Sequence, residues 1–256
     1  MCGIFGVISN SQDFSTNNFS SYRKLVYDLS FLSESRGKDS SGICFRDDIK
    51  KEFKLLKSNQ SISSLIKSKN FKKIINEYSN SFKKNNRFIS FGHSRLVTNG
   101  SQLDNNNNQP VLKDELIGIH NGIIVNDKEL SKKNKISTKY EIDTEVMLSL
   151  ISKYIKKEKL NTFQAFRKLF KEIQGTISTC VFFEKINQLV LATNNGSIYF
   201  ATNYTDTLIF ASEDQIIKEA LKKQESNNFS KLDVFHLKPN TAIFIDLENF
   251  KISNID

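Results

Sequence analysis

Proline occurs only twice, cysteine and histidine three times each, and tryptophan not at all in these 256 residues. With so little proline and no Pro/Gly-rich stretch, nothing marks an internal linker, and residues 1–256 are expected to form one domain. The cysteines, Cys2, Cys44 and Cys180, are odd in number and lack metal-ligand spacing, which argues against both a disulfide framework and a zinc site. Cys44 and Cys180 sit in the apolar runs GICF and STCVFF and read as buried, inert thiols. No cluster of Cys, His and carboxylates has ligand spacing, so no metal and no organic cofactor is expected. Long apolar runs are missing too: nothing approaches the ~20 residues of a membrane helix. The opening MCGIFGVISNSQDF has no basic leader and too short an apolar run for a secretory signal, so a cytoplasmic location is expected, away from the membrane.

Hydrophobic residues at 38% and charged residues at 25% suit a globular chain with a full core. The formal charge of +9 comes from lysines scattered through Lys-, Asn-, Ile- and Ser-rich sequence rather than from an aromatic-interleaved stripe, so nucleic acid is not an expected partner. The run Asn105–Asn108 is of low complexity and reads as a surface loop. No internal repeat is visible.

Periodicity divides the chain into strands and amphipathic helices. Cys2–Ser9 reads as a buried strand and Ser20–Leu32 as a helix; the turn-like segment 35–42 then leads to a strand through Ile43–Phe45. Glu52–Leu56 and Arg87–His93 read as strands on either side of a basic helix over Ser61–Ser79. Leu116–Val125 reads as two short strands about an Asn121-Gly122 turn, because Asn-Gly is a strong hairpin signal. Helices follow at Asp143–Ile155 and Thr162–Ile173. Strands are then expected at Thr176–Glu184, Gln188–Thr193, Ser197–Ala201 and Leu208–Ala211, a helix at Gln215–Lys222, and strands at Asp233–Leu237 and Thr241–Asp246. Strands at both ends with helices between them fit an α+β domain of stacked sheets better than alternating βαβ units.

Cys2 is the first candidate for chemistry. Initiator methionine is normally trimmed before a small residue, which would leave one residue carrying both a thiol and a free α-amine. An amine with pKa of about 7.7–8.0 can take the proton of a thiol with pKa near ~8.5, directly or through one water. Asn121 and Gly122 offer a side-chain amide and a backbone N–H as an oxyanion hole, with a plain turn as the alternative. Arg95 could clamp a substrate carboxylate with Thr98 adding a hydroxyl. Asp143, where a helix begins, could hold an ammonium group or serve as an ordinary N-cap. His93, His120 and His236 read as satisfied structural histidines, which sets a papain-like Cys/His protease aside.

Taken in order, the segments MCGIFGV, RGKDSSG, GHSRLVTNG, HNGIIVN and DTE resemble the glutaminase domain of class II glutamine amidotransferases. These motifs span Cys2–Glu145, with weaker similarity continuing through QGTIS, LATNNGS and FASED. The resemblance implies an N-terminal nucleophile hydrolase fold, a four-layer αββα sandwich of two antiparallel sheets. It also implies Cys2 as nucleophile and, through its amine, base; Asn121 and Gly122 as oxyanion hole; Arg95 and Thr98 on the carboxylate of L-glutamine and Asp143 on its amine. Arg36 and Gly37 match the motif that shapes the site beside the nucleophile. Leu96 stands where the family's aminosugar synthase has a tryptophan associated with gating ammonia, so gating by an indole is excluded. Asn99 replaces that enzyme's histidine, and Gln109-Pro110 follows the amidophosphoribosyltransferase version of the next loop. Neither change removes a group the glutaminase chemistry needs.

The function expected on this basis is hydrolysis of the glutamine γ-amide through a γ-glutamyl thioester. Family members continue into a synthase domain where this sequence ends, so the ammonia acceptor is expected to be a separate synthase subunit. Two other readings stay open: a free-standing hydrolase of other γ-glutamyl amides, and a non-catalytic regulatory subunit with the same fold.

Overall fold

A computed structural model describes residues 2–10, 16–85, 87–96, 103–224, 229 and 232–255. In chain order the first half holds β1 (Gly3–Asn10), α1 (Thr16–Ser33), β2 (Ser40–Asp47), β3 (Glu52–Ser58), α2 (Ile62–Lys67), α3 (Lys69–Asn85), β4 (Arg87–Arg95), β5 (Val111–Lys113) and β6 (Leu116–Ile124). Then come α4 (Asp127–Asn134), α5 (Asp143–Lys156), α6 (Thr162–Glu172), β7 (Gly175–Phe183), β8 (Gln188–Thr193), β9 (Tyr199–Thr202), β10 (Thr207–Ala211), α7 (Asp214–Lys222), β11 (Val234–His236), β12 (Thr241–Asp246) and β13 (Ile252–Ile255). Two antiparallel sheets result, in the orders β11-β9-β10-β1-β4-β2-β3 and β13-β12-β8-β7-β6-β5.

Side-chain alternation explains how the sheets stack. In β1, Phe5 and Val7 point to a core shared with α1, α2, α3 and α7, whereas Ile4 and Ile8 point into a second core between the sheets. On β6 and β7, Ile117, Ile119, Cys180 and Phe182 close that middle core from the other side. The opposite face of the second sheet buries Val146, Met147, Leu150 and Ile151 of α5 with Phe166 and Leu169 of α6. The layers are therefore helix, sheet, sheet, helix, the α+β sandwich expected. Cys44 and Cys180 lie in the middle core, and burial pushes both thiols well above their ordinary range, as inert cysteines require.

Three sequence expectations need correction. Asn121-Gly122 is not a hairpin turn: β6 runs through it unbroken, pairing Asn121 with Ser178 and Gly122 with Ile177 of β7. The turn propensity is overridden by the ladder, and glycine instead supplies φ +147° and lets the Thr176 carbonyl pass where a Cβ would lie 1.9 Å away. The helix expected over Ser61–Ser79 is two helices, α2 and α3, because Ser68 between them is extended at ψ 155°. Asn107 and Asn108 are 2% and 0% exposed, so half of the asparagine run is interior rather than surface loop.

Candidate active site

Cys2 immediately precedes β1, which is flanked by β4 and β10 near the middle of the larger sheet. Register places Gly3 opposite Ser94, so Cys2 lies beside the end of β4 that carries Arg95. The Sγ is buried and donates to the Leu96 carbonyl at 3.5 Å. Burial raises the thiol pKa, opposed by the Leu96 backbone contact and the charge of Arg95, while the Asp143 carboxylate adds to the rise. A thiol so placed holds its proton near neutrality and needs a base to become a nucleophile.

Segment 34–39 packs against that strand end. A Cβ on Gly37 would sit 2.3 Å from the Arg95 carbonyl carbon, a separation only glycine permits. Ser94 Oγ donates to the Gly37 carbonyl at 2.7 Å, and the Asp39 N–H donates to the Arg95 carbonyl at 3.0 Å. Arg36 pairs with Glu213, and its Cβ lies 3.1 Å from the place a Cβ on Gly3 would take. Arg36 and Gly37 thus brace the chain on both sides of the thiol.

From the second sheet comes Asn121. It is 1% exposed, yet neither Oδ1 nor Nδ2 has a hydrogen-bond partner among the described residues. Buried amides are nearly always bonded, so a pair of unmet atoms marks a group poised to meet something else. The residue before it is held tightly: the Gln109 side chain accepts from the His120 N–H at 2.5 Å and donates to the His120 carbonyl at 3.0 Å. The His120 ring reaches Thr144 Oγ1 at 3.4 Å, Thr176 O at 3.3 Å and Asp143 Oδ1 at 3.5 Å.

Asp143 opens α5 one position inside the helix, Ile142 occupying the cap position. Its Oδ2 accepts from the Ile124 N–H at 2.9 Å. Burial works against its ionisation, and the nearby His120 with the Ile124 and Thr144 N–H groups still holds the carboxyl below its ordinary range. Arg95 is 4% exposed; burial lowers its pKa against the opposing pull of Cys2, Asp143 and Asp39. The Arg95 guanidinium and the Asp143 carboxylate thus lie within electrostatic reach of the Cys2 thiol. Thr98 and Asn99 lie outside the described residues.

The histidines divide. His120 is bonded as above, and His236 Nε2 lies 2.6 Å from the Gly196 carbonyl with its ring stacked on Tyr199. His93 departs from expectation: it is wholly buried and neither ring nitrogen makes a well-formed hydrogen bond among the described residues, although the ring faces the His120 carbonyl. Sequence reasoning also missed Asn108, whose Oδ1 accepts from Arg95 Nη1 at 2.9 Å, and Glu213, the partner of Arg36. A low-complexity run gives no sign of which asparagine is buried. Among the described residues no three or more His, Cys, Asp or Glu side chains group to hold a metal ion.

Residues 93–219 match a family model described as a glutamine amidotransferase domain. The glutamine–fructose-6-phosphate aminotransferase of Sulfolobus acidocaldarius is 28% identical over 236 residues, covering 86% of this chain and 36% of that protein. Its Bartonella quintana counterpart is 31% identical over 131 residues, covering 50% of this chain and 21% of the relative. The chain therefore spans about a third or less of the length of these relatives. Among solved structures, glutamine phosphoribosylpyrophosphate amidotransferase from B. subtilis superposes with a TM-score of 0.69 at 18% identity, covering 99% of this chain and 49% of that one. An allosteric regulatory enzyme of purine biosynthesis gives 0.66, also at 18% identity, covering 98% of this chain and 48% of that one.

Proposed function

We propose that this chain is a class II glutamine amidotransferase domain with an N-terminal nucleophile hydrolase fold, and that it hydrolyses the γ-amide of L-glutamine with the Cys2 thiol as nucleophile. The observation that carries this reading is the placement of the buried Cys2 thiol beside the end of β4 that carries Arg95, with the Asp143 carboxylate within electrostatic reach; one cation and one anion suit the two charged ends of an amino acid. Arg95 and Thr98 hold the substrate carboxylate and Asp143 its ammonium, leaving the γ-amide directed at Sγ.

Removal of Met1 frees the α-amine of Cys2. That amine takes the thiol proton as Sγ attacks the γ-carbonyl carbon, and the oxygen becomes an oxyanion. Asn121 Nδ2 and the Gly122 N–H donate to it, which answers the unmet amide of Asn121. The amine then returns its proton to the leaving nitrogen, the C–N bond breaks, and ammonia departs from a γ-glutamyl thioester. Water attacks the thioester with the amine again as base; the C–S bond breaks, Sγ recovers a proton and glutamate leaves. Arg36 and Gly37 keep the nucleophile's surroundings in shape. No metal or organic cofactor takes part.

We further propose residues 1–256 as one glutaminase unit located in the cytoplasm, where thiols stay reduced. Its ammonia passes to an acceptor-aminating synthase on a separate subunit. The fructose 6-phosphate and phosphoribosylpyrophosphate in the names of the related proteins belong to those proteins and do not fix the acceptor here.

The test joins mass and activity. Intact mass should show Met1 absent, and Cys2→Ala should fold with an unchanged melting temperature while glutamate release from glutamine is lost. Glutamine turnover by Cys2→Ala, or by a chain that retains Met1, would refute the assignment.

A further inference from the structure

The guanidinium that grips the substrate carboxylate must itself be aimed, and the buried end of the asparagine run supplies the aim. Asn108 is 0% exposed, and its Oδ1 accepts from Arg95 Nη1 at 2.9 Å and from Ser40 Oγ at 2.7 Å. Ser40 and Arg95 are cross-strand partners on β2 and β4, so one amide oxygen serves both members of a pair at the end of the sheet. The orientation of the amide is not open to a flip. Arginine has only donors, so the oxygen must face it. The Nδ2 faces two acceptors, the Ser58 carbonyl at 3.4 Å and Asn105 Oδ1 at 3.3 Å.

A neutral partner suits this role where a carboxylate would not. Arg95 is buried, and its charge is opposed by desolvation. A carboxylate at the same place would neutralise the guanidinium and compete with an incoming α-carboxylate, whereas an amide oxygen fixes its plane and leaves the positive charge for the ligand. The adjoining Gln109 holds both backbone groups of His120, next to Asn121. Consecutive residues of one segment thus reach the carboxylate end of the site and the strand that bears the oxyanion donor.

We propose that Asn108 is a positioning residue that sets selectivity for substrates carrying an α-carboxylate, by fixing Arg95 through a neutral hydrogen bond. The inference rests on the glutaminase reading above and deepens it.

The experiment compares L-glutamine with 4-aminobutanamide, the same γ-amide without the α-carboxylate, in the wild-type chain, Asn108→Ala and Asn108→Asp. With Asn108→Ala, kcat/KM for glutamine should fall about tenfold or more through KM, the scale of one charge-assisted hydrogen bond. The value for 4-aminobutanamide should stay within twofold. Asn108→Asp should lower glutamine turnover further than Asn108→Ala and again spare the decarboxylated substrate. An equal loss for both substrates would make Asn108 a support of the whole site and overturn the proposal, as would no loss for either. Failure of both variants to fold, judged by circular dichroism, would also overturn it, since the residue would then be holding the fold. A wild-type chain that releases no glutamate from glutamine is a distinct result and counts against the glutaminase reading instead.

Discussion

At the scale of single residues, the site departs from ordinary protein interiors at Asn121 and His93. Asn121 buries an amide that has no hydrogen-bond partner among the described residues, and a polar group left so costs about 1–3 kcal/mol. If the oxyanion collects that unmet donor, the amide should matter to the transition state more than to substrate binding. Asn121→Ala is therefore expected to lower kcat about a hundred- to a thousandfold with KM within a few-fold, measured as glutamate release. A change confined to KM would remove Asn121 from the oxyanion hole.

His93 makes a prediction about stability. Desolvation, followed by the charges of Arg95 and His120, pushes its pKa from 6.5 down to about 3. Between those values the unfolded chain binds a proton that the folded chain refuses, so stability rises with pH across that window. The contribution of His93 is complete above about pH 6.5 and declines on acidification toward pH 3, by at most about 1.4 kcal/mol per pH unit. Urea unfolding at pH 7, 5 and 4 should show this slope in the wild-type chain and a shallower one in His93→Gln, which has no ring to protonate. Parallel slopes would mean that His93 does not titrate this way.

Elements were legible where periodicity and local chemistry agreed. Gln188–Thr193 and Thr241–Asp246 are strands at the boundaries read from the sequence. α6 begins at Thr162, as its apolar periodicity predicts, and the structure adds a reciprocal capping box there, with Gln164 N to Asn161 Oδ1 at 2.8 Å and Asn161 N to Gln164 Oε1 at 3.0 Å. Asn161→Ala should cost about 1 kcal/mol, read as a lower urea midpoint at unchanged m-value. The short polar helix α4 went unread because Leu130 is its only buried residue and leaves no apolar stripe to detect. In β6 a local turn signal met a nine-residue ladder and lost, which a window of two residues cannot reveal. The candidate site was legible as far as each motif carries its own reactive group. The residues that aim those groups, Asn108 on Arg95 and Glu213 on Arg36, adjoin or lie within segments noted in the sequence, Gln109-Pro110 and FASED, but only the folded chain ties them to the arginines they hold.

On the scale of the whole molecule, the site depends on two sheets keeping a fixed separation, since Cys2 and Arg95 hang from one and Asn121 and Asp143 from the other with its helix. That separation is set by the middle core. Phe182 of β7 lies there wholly buried, edge-on to Phe53 of β3 at 4.7 Å between ring centroids. Arg46 of β2 lies over both rings, 5.1 Å from Phe53 and 5.5 Å from Phe182, so this cluster joins the sheets directly. Phe182→Ala should cost about 3–5 kcal/mol, the range for a large buried ring lost to a cavity. Neither outer helical layer touches that cavity, yet each rests on a sheet whose other face would be loosened. Hydrogen exchange under rising urea should therefore show the amides of α3 and α5 losing protection at one common midpoint, in the wild-type chain and, lower, in Phe182→Ala. If α5 opened at a lower urea concentration than α3, the sheets would be separable units, and the geometry linking the thiol to the proposed oxyanion donor would have to be maintained by the loops alone.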